Sequence, residues 1–263
     1  MDKTANQDSE TIDSFHHGRF YLVQPRGYGH RSGMDAMLLA SLVPTNLNGK
    51  VVDLGAGAGA AGLAVASRCS QVHVTLVERS SFMASYAQKT LMLKQNEKFA
   101  ERICLLKADV TLKGKNRLKA GLVDNSFDFA IMNPPFNNPA DRKTPDEQKS
   151  EAHVMPEAMF DHWFRSAAAI VKPSGYLGLI ARPQSLNDIL YALEGRFGGI
   201  CIIPIHARAK TAAIRILCYA KRGSRAALSI LPALVIHEDK EHTFSPRINA
   251  INNGFISLWE LLK

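Results

Sequence analysis

From residue 50 to residue 132 the chain alternates two kinds of apolar run. Short, nearly continuous runs (KVVDLG, VHVTLVE, RICLLKAD and SFDFAIMN) stand between longer stretches such as AAGLAVASRCS and SFMASYAQKTLMLKQNE. Continuous runs of this length suit strands buried on both faces, and apolar residues three and four apart suit amphipathic helices. The same spacing continues in PEAMFDHWFRSAAAIVK, with Met159, Phe160, Trp163, Phe164, Ala167, Ile170 and Val171 on one side. Pro173 and Gly175 are expected to end that helix. GYLGLIA then reads as a fifth strand and SLNDILYALEGRFG as a helix. Upstream, RFYLVQP predicts a short strand. SGMDAMLLASLV predicts a helix with Ser32 as N-cap and Asp35 at the capping-box position.

Past Gly198 the pattern changes. GICIIPIHA and AAIRILCYAKRG are strand-like with no helix between them, so they are expected to pair antiparallel at the sheet edge. The tail adds an extended piece and a short helix starting at Ser245-Pro246. Strands separated by helices predict a Rossmann-like α/β fold. It has a seven-stranded, mostly parallel sheet, an antiparallel edge hairpin and helices on both faces. We expect one domain over residues 18–263. The polar residues 1–17 read as a disordered lead-in, and their acidic start does not fit a signal peptide.

Composition narrows the class. Hydrophobic residues make up 46% of the 263, enough for a sizeable core. The net charge of +8 suits a polyanionic partner. Cys69, Cys104, Cys201 and Cys218 form no C-x-x-C pair and read as buried thiols of a reducing compartment. The nine histidines show no ligand spacing, so no metal is expected. No run reaches the roughly 20 apolar residues that span a bilayer. A cytoplasmic protein without membrane contact is expected.

The candidate chemistry lies at the strand ends. VVDLGAGAGAAG puts Asp53 at the end of one strand, followed by Gly55, Gly57 and Gly59. These glycines allow a tight turn and close approach of a ligand to the backbone. Gly57, Gly59 and Gly62 also satisfy the dinucleotide pattern, so spacing alone does not choose the cofactor. Glu78 ends the next strand, where a carboxylate can accept both ribose hydroxyls. Asp109 ends the third and can accept from an adenine amino group. A strand–helix turn and solvated strand-end charges are the plainer readings of each feature alone. Together they mark the edge where open α/β sheets bind ligands. An acid at Asp53 suits the ammonium of S-adenosylmethionine and would repel a pyrophosphate.

The fourth strand ends in Asn133-Pro134-Pro135-Phe136. Two prolines fix two φ angles and remove two backbone donors. The Asn133 side-chain oxygen and the Pro134 carbonyl can accept from an amino group, and Phe136 offers a face to a flat base. With DLGAGAG, this motif resembles the [NDS]-P-P-[YFW] signature of class I amino-group methyltransferases that use S-adenosylmethionine. The segment LVQPRGYGHRSGMDAMLLASLVP and the later RAKTAAIRILCYAKRGSRAALSILPALVIHE are similar to bacterial enzymes that methylate adenosine N6 in the anticodon loop of tRNA1(Val). The resemblance runs from about Phe20 to Asn252. It implies catalytic roles for Asn133, Pro134, Pro135 and Phe136, and a tRNA substrate. It also implies that Gln24, Arg31 and Asp35 line the cofactor or base pocket; helix capping is the plainer reading of Arg31 and Asp35. Phe136 departs from the tyrosine common in relatives. The polar stretch after it, residues 137–155, reads as a substrate-ordered lid or a mobile loop.

From Gly195 to His237 there is no Asp or Glu, while Arg196, Arg208, Lys210, Arg215, Lys221, Arg222 and Arg225 fall in the same stretch. This suggests an RNA-binding face, with a solvated basic rim as the alternative. Other substrates remain open: ribosomal RNA or DNA adenine, or a protein glutamine amide. A non-catalytic binding subunit is the non-enzyme reading.

Overall fold

The computed structural model describes residues 10–26, 31–135, 159–238 and 243–261. A hairpin of β1 (Glu10–Phe15) and β2 (Phe20–Pro25) leads into α1 (Met34–Ala40). Then β3 (Gly49–Leu54), α2 (Ala60–Arg68), β4 (Val72–Val77), α3 (Ser81–Leu91), α4 (Glu97–Ala100) and β5 (Ile103–Leu106) follow in turn. α5 (Gly114–Lys119) and β6 (Phe127–Met132) complete the first half. The second half holds α6 (Met159–Ile170), β7 (Val171–Ala181), α7 (Leu186–Leu193), β8 (Phe197–His206) and β9 (Ala213–Arg222). Two short strands, β10 (Ser229–Ile230) and β11 (Leu234–Val235), precede α8 (Pro246–Asn252) and α9 (Leu258–Leu261).

The seven long strands lie in the order β5-β4-β3-β6-β7-β9-β8. All neighbours are parallel except β9, which runs against both β7 and β8. The direction of winding reverses between β3 and β6, so a crevice is expected at their C-terminal ends. Those ends are level: Leu54 is opposite both Val77 and Met132, and Met132 is opposite Leu179.

The apolar strands supply two cores by simple alternation. Val51, Leu76, Ile131, Ile203 and Leu217 face one side with α1 and α2. Their chain neighbours Val52, Val77, Met132, Ile202 and Cys218 face the other, where Phe160, Phe164 and Ile170 of α6 and Ile189 of α7 pack. The sheet is therefore buried on both faces, as its continuous apolar runs require.

Several expectations need correction. The lead-in expected through residue 17 is ordered from Glu10, because β1 pairs with β2 along six residues. Two strands beyond the expected seven join the sheet, since β10 and β11 both pair parallel to β8 on its outer side. The α6 helix stops at Ile170, before Pro173 and Gly175, and β7 begins at once. Phe127 is opposite Val171 but Phe129 is opposite Tyr176, so the segment with Pro173 and Gly175 bulges out of the pairing. Ser32 does not cap α1: Gly33 stands at the N-cap without a side-chain bond, and the Ser32 N–H donates to Gln24 Oε1 at 2.7 Å. Cys104 is exposed on edge strand β5, while Cys69 and Cys218 are buried and Cys201 is half-buried. The helix at Ser245-Pro246 forms as expected, with the Ser245 hydroxyl accepting from the Ile248 N–H. Among the described residues no helix is long and apolar enough to cross a membrane.

Candidate active site

At the end of β3 the chain turns sharply. The N–H groups of Gly55 and Ala56 both donate to the Val77 carbonyl at 2.9 Å, which ties the turn to β4. Gly55, Gly57 and Gly59 have φ of +74°, +58° and +95°, a region that residues with a Cβ enter only at a cost. Gly62 is needed for a different reason: a Cβ there would lie 2.3 Å from Leu76 Cδ2, so its absence lets α2 settle on β4.

Asp53 is 2% exposed and its Oδ2 accepts the Gly62 N–H at 2.9 Å. Burial pushes its pKa up to about 7; the Gly62 bond opposes this and the nearby Glu78 charge adds to it. Glu78 holds the turn from the other side. Its Oε2 accepts the Gly57 N–H at 2.8 Å and its Oε1 the Ser80 N–H at 2.7 Å. Asp109 Oδ1 accepts both the N–H and the hydroxyl of Thr111 at 2.7 Å, and its Oδ2 lies 3.9 Å from Arg79. The three acids thus stand at three successive strand ends.

Asn133 follows β6 directly, beside the glycine turn across the β3–β6 pairing. Its Oδ1 is buried and has no hydrogen-bond partner among the described residues. Buried acceptors are rarely left so, because the lost hydration is not replaced. Pro134 is buried and Pro135 half-buried beside it. Phe136 and the polar stretch 137–155 lie outside the described residues.

Trp163 was legible in the sequence only as an apolar position of α6. The fold brings its ring over the turn: a Cβ on Gly55 would lie 2.6 Å from Trp163 Cη2. No pattern in the sequence links those two residues.

Gln24, Arg31 and Asp35 form contacts around the hairpin and α1. Gln24 is buried, donates to Asp13 at 2.6 Å and accepts from Ser32. Arg31 binds Asp13 at 2.6 Å, the Thr11 hydroxyl and the Pro25 carbonyl. Asp35 pairs with Arg215 at 2.9 Å.

The basic stretch does not form one face. Because β8 and β9 are antiparallel, the 207–212 connection, with Arg208 and Lys210, lies at the same sheet edge as Asn133. Arg215, near the start of β9, joins them. Lys221, Arg222, Arg225 and Arg196 lie toward the opposite edge. There Arg222 donates to Asn125 and to the Val171 carbonyl. Arg196 reaches Asp161 at 2.8 Å, and Lys221 stands 5.9 Å from the Tyr176 ring centroid.

A mixed sheet of this order, with a glycine turn, strand-end acids and an Asn-Pro-Pro terminus on one edge, is the architecture of a class I methyltransferase. The family model described as "Methyltransferase small domain" matches residues 31–203, and the chain belongs to that family. It is 26% identical over 187 residues to the tRNA1(Val) (adenine(37)-N6)-methyltransferase of Shewanella putrefaciens, covering 70% of this chain and 74% of that one. A crystal structure described as a predicted O-methyltransferase, protein Atu636 from Agrobacterium tumefaciens, is 44% identical with a TM-score of 0.74. That match covers 85% of this chain and 97% of the other. The crystal structure of M. jannaschii TYW2 in complex with AdoMet is 13% identical at a TM-score of 0.55 over 83% of this chain and 88% of that one, a likeness of fold.

Proposed function

We propose that this methyltransferase uses S-adenosylmethionine to methylate N6 of an adenine in RNA, with the anticodon-loop adenosine of tRNA1(Val) as the favoured substrate. The unpartnered, buried Oδ1 of Asn133 carries the reading. An exocyclic amino group has two hydrogens, and the Asn133 oxygen and the Pro134 carbonyl give it two acceptors. Accepting both favours a pyramidal nitrogen whose lone pair is available for attack. The prolines hold this rail rigid before substrate arrives. S-adenosylmethionine supplies a methyl group made electrophilic by a sulfonium. As the nitrogen–carbon bond forms and the carbon–sulfur bond breaks, the nitrogen gains positive charge, and its proton is then lost to water. No strong general base is required.

The cofactor residues fit this role. Glu78 uses one lone pair of each oxygen on the turn and keeps others for ribose hydroxyls. The buried Asp53 gains a counter-charge if an ammonium binds beside it. The Asn-Pro-Pro segment offers acceptors rather than a base, which suits an amino group better than the oxygen acceptor implied by the description of the Agrobacterium protein as a predicted O-methyltransferase. The name of the Shewanella relative supports tRNA, and a tRNA substrate implies action in the cytoplasm.

Labelled S-adenosylmethionine should place label in total tRNA as N6-methyladenosine, read after nuclease digestion. Label recovered in ribose or other hydroxyl groups, or in protein glutamine, would exclude the proposal.

A further inference from the structure

Arg182 is the first residue beyond β7. The β6–β7 register, with Leu179 opposite Met132, sets it level with Asn133-Pro134-Pro135 when continued along both chains. Its backbone is fixed: Arg182 caps a short turn over Pro183–Ser185, and its carbonyl accepts the Ser185 N–H at 3.0 Å. The residue is half-buried, and no hydrogen-bond or ion-pair partner reaches its side chain among the described residues. Other half-buried arginines of the chain are engaged: Arg68 and Arg102 by backbone carbonyls, Arg165 and Arg196 by Asp161, Arg215 by Asp35. A guanidinium with no protein partner at such a position can take an anion through charge-assisted hydrogen bonds.

Its position indicates which anion. The glycine turn and strand-end acids occupy β3, β4 and β5, while Arg182 stands two strands away, past Asn133 on the side of the acceptor rail. On its other flank runs β9, where Ala181 is opposite Ile216. Beyond that lies the 207–212 connection, held in shape by Thr211. The Thr211 hydroxyl donates to the Arg208 carbonyl at 2.8 Å, and the Thr211 carbonyl lies 2.6 Å from His206 Nδ1. Lys210 is exposed on this connection. The edge therefore runs from the reactive segment through Arg182 to a preformed basic turn.

We propose that Arg182 binds a backbone phosphate of the RNA next to the target nucleotide, and so sets the register of the base against Asn133. This rests on the RNA reading above. A guanidinium binds phosphate through two parallel N–H bonds that an ammonium cannot reproduce.

The test compares Arg182→Ala and Arg182→Lys with the unaltered full chain on unmodified tRNA, at two salt concentrations. Arg182→Ala should raise KM for tRNA about tenfold or more and reduce the salt slope of binding by about one. Cofactor affinity and the melting temperature should not change. Arg182→Lys should recover the salt slope but only part of the KM. If Arg182→Ala melts earlier, Arg182→Gln, which loses the charge but keeps a polar side chain, takes its place. Unchanged KM and salt slope in an otherwise active enzyme overturn the assignment of Arg182 alone. An equal loss of cofactor affinity also overturns it, by moving the residue to the cofactor side. An unaltered enzyme that transfers no methyl group to RNA overturns the RNA reading, and this inference with it.

Discussion

Glu78 holds the backbone of Gly57: its Oε2 accepts that N–H at 2.8 Å across 21 residues of chain. The carboxylate that closes β4 is thus a strut of the glycine turn as well as a candidate ribose ligand. Glu78→Ala leaves the Gly57 and Ser80 donors without this acceptor, at about 1–3 kcal/mol for each unsatisfied group. It should lower the melting temperature and weaken cofactor binding tenfold or more by calorimetry. Glu78→Gln keeps one acceptor and should fall between. Undiminished affinity in the alanine variant would remove Glu78 from the cofactor site.

Asn133→Ala should separate activity from stability. The Asn133 Oδ1 is buried without a partner, so removing it relieves a desolvated group. The variant should melt at or above the temperature of the unaltered protein. Its kcat should fall by about a hundredfold or more, the scale seen when one preorganised electrostatic group is lost. Cofactor affinity should hold. A large loss of affinity would assign Asn133 to the wrong ligand.

Asp53 predicts a pH dependence of known sign. Its pKa rises from 3.8 to about 7 in the fold, so between those values the folded state holds more protons than the unfolded one. Stability of the cofactor-free protein should then decline as pH rises through that window, by up to about 4 kcal/mol from this group. Binding an ammonium favours the ionised acid, so cofactor affinity should rise from pH 6 to pH 8. Asp53→Asn should flatten both profiles, and profiles that keep their slopes in this variant would place the titration elsewhere.

Gly55→Ala tests the placing of Trp163. The new Cβ would sit 2.6 Å from the indole at a φ of +74°. Strain and overlap together should cost about 2–4 kcal/mol. Trp163→Ala in the same chain should return the overlap part but not the backbone part. A double-mutant cycle in urea reads the coupling, and strict additivity would mean that the ring and the turn do not meet.

Much of the architecture was legible because its signals are local. The β3 run needs burial on both faces whatever it packs against, and the glycines after Leu54 need a turn. β1 was missed because none of its six residues is fully buried and its pairing is decided by β2. α5 was missed because GKNRLK offers no apolar face. The acids at the strand ends and the Asn-Pro-Pro rail could be named from their spacing. The empty acceptor on Asn133 and the ring over Gly55 could not, since both depend on groups distant in sequence. The basic stretch shows a different lapse: its residues are close in sequence, but an antiparallel hairpin sends its two ends to opposite edges of the sheet. That consequence was already implied by the pairing expected of GICIIPIHA and AAIRILCYAKRG.

The two short strands on β8 have an effect beyond their length. Ser229–Ile230 and Leu234–Val235 pair with Cys201–Ile202 and Ile205–His206 on the outer side of β8. Without them β8 would present a long row of free amide and carbonyl groups, a template on which a second chain could add as another strand. Pro204 lies between the two paired stretches and has no N–H to offer. Residues 229–235 thus take up part of that row, and the outer edge of the sheet is two short strands in place of one long one.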